Sequence, residues 1–426
     1  MAYANQSEVF AMIVIQGPGA LSGELSVQGA KNSALPLLAA AVLARGETVL
    51  HNCPRLSDVD TACRILEHLG CRCRWQEGSL VIENAATCCE VPQCLMREMR
   101  SSIVFLGAIV SRCGEARLCF PGGCELGPRP IDLHLEALSR LGVEIQEEGG
   151  CLSCAAPRGI QGSYIPLSFP SVGATENVML AAACGRGTTV IENAAREPEI
   201  CDLAAYLNRC GARIYGAGEG CVIIDGVEAL YGCEHRVMPD RIAAATYLAA
   251  GAVTGGTVTL TGVDNTHLLP MLPPFEAAGC AVRQMGGAIC LMAPPRLSGI
   301  RQLRTMPYPG FPTDAQPVVM AMAAVGKGTS VFVENIFQNR FRQAEELGRM
   351  GAKIKVEGRV AVVEGVEHLT GAQVQAGDLR GGAALAVAGL AAWGTTQITG
   401  ERHIHRGYED LAGSLRALGA NIQEVP

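Results

Sequence analysis

The sequence predicts an α/β protein built from six copies of one helix, strand, helix, strand unit, set out as two pseudo-symmetric lobes of three. The strongest observation is a repeat. An apolar, Ala-rich helical pattern runs to a glycine and then into a β-rich segment: GETVLHN at Gly46, GEARLCF at Gly114, GTTVIEN at Gly187, GTVTLTG at Gly256, GTSVFVEN at Gly328 and GTTQITG at Gly394. The spacings between these glycines are 68, 73, 69, 72 and 66 residues. A second landmark keeps step with the first, a helix ending in LGC, LGV, CGA, AGC, MGA or LGA at Gly70, Gly142, Gly211, Gly279, Gly351 and Gly419. Composition agrees: 51 of 426 residues are Gly, 49% are hydrophobic and only 4% aromatic, as suits closely packed helices and strands joined by glycine turns.

Within each copy, the first helix is read from its continuous apolar character, as in Ala34–Ala44, and the strand after its glycine from β-branched residues. The second helix closes on a glycine placed as a C′ residue. Another β segment follows, such as Ala212–Tyr215 or Ala352–Lys355. Strands separated by helices call for right-handed parallel crossovers. A unit of this length is too long for a common solenoid repeat and too helical for a propeller blade.

Charge and cysteine usage exclude several functions. The net charge is −7 and no run of five Lys/Arg occurs, so a nucleic-acid or anionic-membrane partner is not expected. An anionic ligand must then be met by a few cations gathered locally. Residues 1–10 lack the basic and apolar regions of a signal peptide, and no apolar stretch reaches the roughly 18–20 residues that span a bilayer. The 19 cysteines are odd in number and all precede residue 291, a distribution unlike a disulfide scaffold. The expectation is a cytoplasmic protein with reduced thiols.

Places where a copy departs from the repeat are the candidates for chemistry. Gln28-Gly-Ala-Lys-Asn-Ser sets Lys31 and Asn32 at a helix N-terminus, where ammonium and free N–H groups can meet an anion together; the alternative is an ordinary cap sequence. Pro121-Gly-Gly-Cys-Glu-Leu-Gly-Pro-Arg-Pro reads as a surface loop with Cys124 at its centre and Arg129 close enough to lower its pKa. Asp314 in Pro309-Gly-Phe-Pro-Thr-Asp is either a helix cap or a reactive carboxylate, and Asp378-Leu-Arg380 repeats the pattern one copy later. Arg100 and Arg406 are isolated cations at element ends, as compatible with solvated side chains as with ligand contacts. Cys151 and Cys154 have zinc-knuckle spacing without a second pair, and no GxGxxG, GxxxxGK[ST] or GxSxG motif occurs in a fitting context. No cofactor or metal is expected.

Together these residues resemble the enolpyruvyl transferase family over about Ile13 to Glu424, and within it the branch whose acceptor is UDP-N-acetylglucosamine. The specific pieces are GAKNSALP, MRSSI, PGGC with GPRPIDLH (Cys124, Arg129, His134), SVGAT (Ser171 to Thr175), ENAAREPEI, PDRI (Arg241), FPTD, NRF (Arg340), DLR and HRGYE. The PGGC loop separates this branch from the shikimate-pathway branch. The resemblance implies an inside-out α/β barrel with lobes 31–238 and 1–30 plus 239–426 closing over a cleft. It implies transfer of the enolpyruvyl group of phosphoenolpyruvate to the 3′-hydroxyl of UDP-N-acetylglucosamine, a step of peptidoglycan synthesis, with phosphate released. Two other readings stay open: a paralogue using another alcohol acceptor, and a nucleotide-sugar-binding protein without turnover.

The resemblance also implies roles. Cys124 is the acid that protonates C3 and the thiol that the epoxide fosfomycin alkylates. Asp314 helps remove the hydroxyl proton, and Lys31, Arg100, Arg129, Arg380 and Arg406 clamp the anionic groups. Asp378 orients the cations. Asn32 and Asp314 hold the sugar. Arg129, Pro130, Ile131, Asp132 and Leu133, with Ser171, Val172, Gly173 and Ile336, contact the uridine diphosphate, and Arg340 joins the substrate-binding set. The chain departs from the family's common residues at Phe169 (Lys), Val104 (Trp), Gln338 and Gln343. The first removes a cation beside the diphosphate contacts. Partners are thus two small molecules; oligomeric state is not read from the sequence.

Overall fold

A computed structural model describes residues 12–120 and 131–425. Cys124, Arg129 and Pro130 lie outside the described residues.

The repeat is richer than helix, strand, helix, strand. In one copy, Tyr164–Pro166 leads into the buried helix Val172–Ala182, then strand Thr188–Glu192, the outer helix Pro198–Arg209 and the hairpin Arg213–Tyr215 with Cys221–Asp225. The sheet runs Tyr164–Pro166, Thr188–Glu192, Cys221–Asp225, Arg213–Tyr215; its first pair is parallel and the rest antiparallel. The same plan recurs around Glu115–Cys119 and Thr329–Val333. Each of these three copies is therefore βαβαββ. The leading strand is only two to four residues in these copies, too short to show a period of two, and the last β segment is a hairpin.

Other strands close the sheets across sequence distance. Glu234–Arg236 lies parallel to Ala44–His51, and Ser22–Ser26 lies parallel to Thr257–Thr261. Met12–Gly17 inserts between Ala392–Thr399 and Asn421–Val425, antiparallel to both. The chain divides into two compact units: Gln28–Asp240 with Pro307–Pro309, and the chain up to Val27 with Arg241–Met306 and the chain from Gly310 onward. Each has its own hydrophobic core.

In the first unit, helices Lys31–Ala41, Phe105–Cys113 and Val172–Ala182 pack on one another; in the second, Arg241–Val253, Gln316–Ala324 and Leu379–Ala391 do so. Nearly every residue of five of these helices is buried, and Phe105–Cys113 is buried through Val110, which is why they read as apolar all round instead of striped. Alanine and glycine let three such helices approach closely. The outer helices are amphipathic. Ser57–Leu69 buries Val59, Ala62, Ile65, Leu66 and Leu69 and puts Asp58 and Asp60 in its first turn, where the helix dipole favours them. The six glycines that close these outer helices all have φ between 87° and 108°, the left-handed region that stops a helix without strain. The earlier glycine of each copy closes its helix only at Gly114; Gly46, for instance, lies inside strand Ala44–His51.

One expectation fails here. Cys119 and Cys151 form a disulfide, against the reading that all thiols are reduced. They are direct partners at the end of the Glu115–Cys119/Cys151–Ala155 ladder, so strand register alone brings the two sulfurs together. The zinc-knuckle spacing of Cys151 is thereby used otherwise. The bond closes a loop of sequence separation 32, worth about 4 kcal/mol by loop-closure entropy. Urea unfolding of the wild type with and without reductant should show a loss of that order, and Cys119→Ser/Cys151→Ser should remove the dependence.

Candidate active site

In the first unit, the start of helix Lys31–Ala41 is held from three sides. Lys31 N–H donates to Asp240 Oδ2 at 3.3 Å, and Lys31 Nζ pairs with Asp58 Oδ2 at 2.6 Å. Ser33 Oγ donates to Asp202, whose other oxygen meets His235 Nε2 at 2.9 Å. Asp202 also accepts from Met238 N–H, which ties this turn to the segment entering Asp240. Lys31 is 8% exposed, so its ammonium is nearly desolvated and fixed in place. Asn32 is the one residue of the helix that is not buried. Pro36 lacks the N–H that would otherwise bond the Asn32 carbonyl. Arg100 opens a 3₁₀ turn, Arg100–Val104, and is half-buried.

Ser171 caps helix Val172–Ala182: its hydroxyl accepts from Ala174 N–H, and Val172 and Gly173 follow as the first helical residues. Thr175 Oγ1 donates to Ser171 O and accepts from Ala195 N–H, locking the cap to the ENAAREPEI segment. Ile131, Asp132 and Leu133 open helix Asp132–Arg140. Burial pushes His134 in this helix down to about 4, with the Asp132 charge acting more weakly in the opposite sense. Glu176 is fully buried and its carboxyl is pushed well above the usual range by burial, then by Glu199 and Glu197.

His134 gives a signed pH prediction. Its folded pKa lies below the unfolded value of 6.5, so the unfolded chain binds more protons between about pH 4 and 6.5. Stability from the neutral ring is full above pH 6.5 and is lost as pH falls towards 4, by about 3 kcal/mol. Urea unfolding at pH 7 and pH 5 should show about 2 kcal/mol of that loss in the wild type and a smaller one in His134→Phe.

In the second unit, Asp314 lies in the 3₁₀ turn Thr313–Ala315 before helix Gln316–Ala324. Its Oδ1 accepts from Arg340 Nη2 at 2.9 Å and its Oδ2 from Arg380 Nη2 at 3.0 Å. Both guanidinium groups are buried while the carboxylate keeps partial access. A carboxylate has about four acceptor sites, so each oxygen retains capacity beyond its arginine. Arg340 also donates from Nε and Nη2 to Thr313 O. These bonds use Nε and Nη2 and make Arg340 a support for the Asp314 turn. Asp378 caps helix Leu379–Ala391, with Oδ1 accepting from the Arg380 and Gly381 N–H groups. It orients Arg380 through the backbone and not through a side-chain ion pair. Arg406 is half-buried in the turn after Glu401–His403.

Several supports were invisible as motifs. Glu334, fully buried, accepts from Thr313 Oγ1, Ile336 N–H and Phe337 N–H, joining the Asp314 turn to Ile336. Asp58, Asp202 and Asp240 do the same for Lys31. Their only signal was an acid in an otherwise apolar or helix-opening context. Of the departures, Phe169 is 41% exposed, Val104 is buried, Gln338 is exposed and Gln343 is buried with Nε2 on Met320 Sδ at 3.7 Å.

The family model for EPSP synthase (3-phosphoshikimate 1-carboxyvinyltransferase) matches residues 15–415. A protein of Caldanaerobacter subterraneus subsp. tengcongensis named UDP-N-acetylglucosamine 1-carboxyvinyltransferase 2 is 49% identical, over 96% of this chain and 99% of its own. The chain belongs to the enolpyruvyl transferase family. Another family member, UDP-N-acetylglucosamine 1-carboxyvinyltransferase 1 of Symbiobacterium thermophilum, is 50% identical over 97% of this chain and 95% of its own. Among solved structures, the enolpyruvyl transferase NikO from Streptomyces tendae superposes with a TM-score of 0.88 at 26% identity, covering 98% of this chain and all of that one. An EPSP synthase from Acinetobacter baumannii, at 20% identity and a TM-score of 0.75, shares the fold of this enolpyruvyl transferase. The inside-out α/β barrel architecture is that of the family. Among the described residues no helix is long and apolar enough to cross a membrane.

Proposed function

We propose that this enolpyruvyl transferase moves the enolpyruvyl group of phosphoenolpyruvate to the 3′-hydroxyl of UDP-N-acetylglucosamine and releases phosphate, the committed step of peptidoglycan precursor synthesis. The observation that carries it is 49–50% identity, over nearly the whole chain, to proteins named for that transfer. Cys124 delivers a proton to C3 of phosphoenolpyruvate while the sugar oxygen attacks C2. Asp314 accepts the hydroxyl hydrogen on a carboxylate oxygen already oriented by arginine. The tetrahedral adduct then loses a C3 proton and expels phosphate, restoring the double bond. Lys31, Arg100, Arg129, Arg380 and Arg406 balance the phosphate and carboxylate charges, and the buried setting of Lys31 and Arg380 strengthens that effect. Asn32 holds the sugar, and Ile131 to Leu133, Ser171 to Gly173 and Ile336 hold the uridine diphosphate. Both substrates are small molecules, and the working compartment in this reading is the cytoplasm.

Phosphate release from phosphoenolpyruvate should require UDP-N-acetylglucosamine and be absent with shikimate 3-phosphate. Release with the second acceptor alone would overturn the assignment. Phe169 stands two residues before the Ser171 cap and brings no charge. Phe169→Lys should therefore lower the KM for the nucleotide sugar several-fold at low ionic strength and leave kcat within about twofold, because a remote cation near a phosphate is worth roughly 1 kcal/mol. Steady-state kinetics at two salt concentrations checks it.

A further inference from the structure

We infer that Cys210 and Cys233 are an oxidisable dithiol: a peroxide converts them to a disulfide that staples the end of helix Pro198–Arg209 to the strand leading to Asp240, and so stiffens the turn that holds Lys31.

The two thiols are already in contact. Both are free, and their Sγ atoms stand 3.5 Å apart. A disulfide needs about 2.05 Å. Rotation of the two side chains has only that difference to close, because the backbones are pinned on either side of the pair. Tyr231 N–H donates to Cys210 O at 2.9 Å, and Arg209 Nη1 donates to Glu234 O at 3.3 Å. Cys233 O accepts from Val49 N–H at 3.0 Å, where Glu234–Arg236 begins its parallel run beside Ala44–His51.

The sulfurs have different parts in the oxidation. Cys210 is 2% exposed, whereas Cys233 is half-buried and meets the oxidant first. The Cys233 sulfur attacks hydrogen peroxide, the O–O bond breaks, and the products are Cys233 S–OH and one water. Cys210 Sγ then attacks that sulfur; the S–S bond forms, and the hydroxyl leaves with the Cys210 hydrogen as a second water. The two thiols are oxidised by two electrons and the peroxide is reduced by two. Burial, and then the neighbouring Cys233, push the Cys210 thiol up to about 12, so the resting pair keeps its hydrogens until an oxidant arrives.

The staple reaches Lys31 by a short route. Tyr206, one turn before Cys210, hydrogen-bonds the Cys210 thiol and lies 3.1 Å from Thr48 Oγ1. Its ring meets His235 edge-on at 5.6 Å between centroids, two residues beyond Cys233. His235 Nε2 bonds Asp202 Oδ1 at 2.9 Å, and Asp202 also accepts from Ser33 Oγ and Met238 N–H. Lys31 N–H completes the chain on Asp240 Oδ2. Asp202 rides on the helix and His235 to Asp240 on the strand side. A covalent bond between these two elements suppresses the local opening that would separate them.

The test treats the full chain, reduced and freed of reductant, with hydrogen peroxide, caps the remaining thiols with N-ethylmaleimide and maps tryptic peptides by mass. Arg209, Arg213 and Arg236 place the two cysteines on separate peptides. The expected product is 210–213 joined to 214–236 through Cys233 and not Cys221, and lost on reduction. In Cys210→Ala, dimedone should trap a sulfenic acid on Cys233; in Cys233→Ser, Cys210 should stay unmodified. Hydrogen exchange over Val237–Asp240 should be at least severalfold slower in the oxidised wild type than in the reduced one. Cys233→Ser, which keeps Cys119 and Cys151, should show no such slowing with peroxide. A joined peptide that forms only in urea, or two cysteines recovered separately from the folded chain, would overturn the dithiol. A joined peptide with unchanged exchange over Val237–Asp240 would overturn the coupling to the Lys31 turn. The wild-type map and exchange decide even if a variant does not fold.

Discussion

Cys124→Ala is expected to lower phosphate release by about 10²- to 10⁴-fold, the range over which a positioned general acid acts. Binding of UDP-N-acetylglucosamine, measured by calorimetry, should change little, because the thiol serves the proton transfer and not the nucleotide. Cys124→Asp should recover part of the rate, since a carboxyl group can carry the proton to C3. A thiol-directed epoxide should inactivate the wild type and leave the Ala variant chemically untouched. Wild-type turnover in Cys124→Ala would remove the proton-donor role. The buried cysteines are no substitute: Cys71, Cys154 and Cys280 are shut away, and burial raises each thiol to about 11. A protonated thiol shut away from substrate donates nothing.

Arg340→Ala is expected to act on stability and on rate together. Arg340 is 2% exposed and its fork serves both Thr313 O and Asp314 Oδ1. Removing it leaves a carbonyl and a carboxylate oxygen without their donor, at a cost of about 3 kcal/mol. Asp314 then loses one of the two guanidinium groups that orient it, so kcat should fall more than tenfold with a smaller rise in KM for the nucleotide sugar. Arg340→Lys should recover little, because a single ammonium cannot reproduce a planar fork with three bonds. Urea unfolding and steady-state kinetics on the same preparations check both halves. Unchanged kcat beside a clear loss of stability would reduce Arg340 to a packing role and detach it from Asp314.

Much of the fold was legible because the repeat carries its own punctuation. The six glycines from Gly70 to Gly419 mark helix ends by a backbone angle that other residues resist, so their spacing survives in the sequence whatever surrounds it. Lys31, Asp314 and Arg380 were legible for a related reason: each is a charge in the first turn of an apolar helix or of the turn that leads into it, a position that packing alone does not explain. The cap bonds of Asp378 were not legible, since a capping carboxylate and an ion-pairing one look alike in sequence. The bonds of Arg340 to Thr313 and Asp314 were not legible, because an arginine's motif does not say which way its fork points.

The local signals decided the number of units, the buried helices and the end of each outer helix, because hydrophobic period and glycine conformation act within a few residues. Tertiary structure decided what those residues do to one another. Glu234–Arg236 joins Ala44–His51, Met12–Gly17 enters the last sheet, and Cys119 meets Cys151 through strand register. Asp58 finds Lys31, Glu334 finds the Asp314 turn, and Asn177 meets His134. A hydrogen bond depends on distance and direction between groups far apart in the chain, and only the packed sheets and helices supply those.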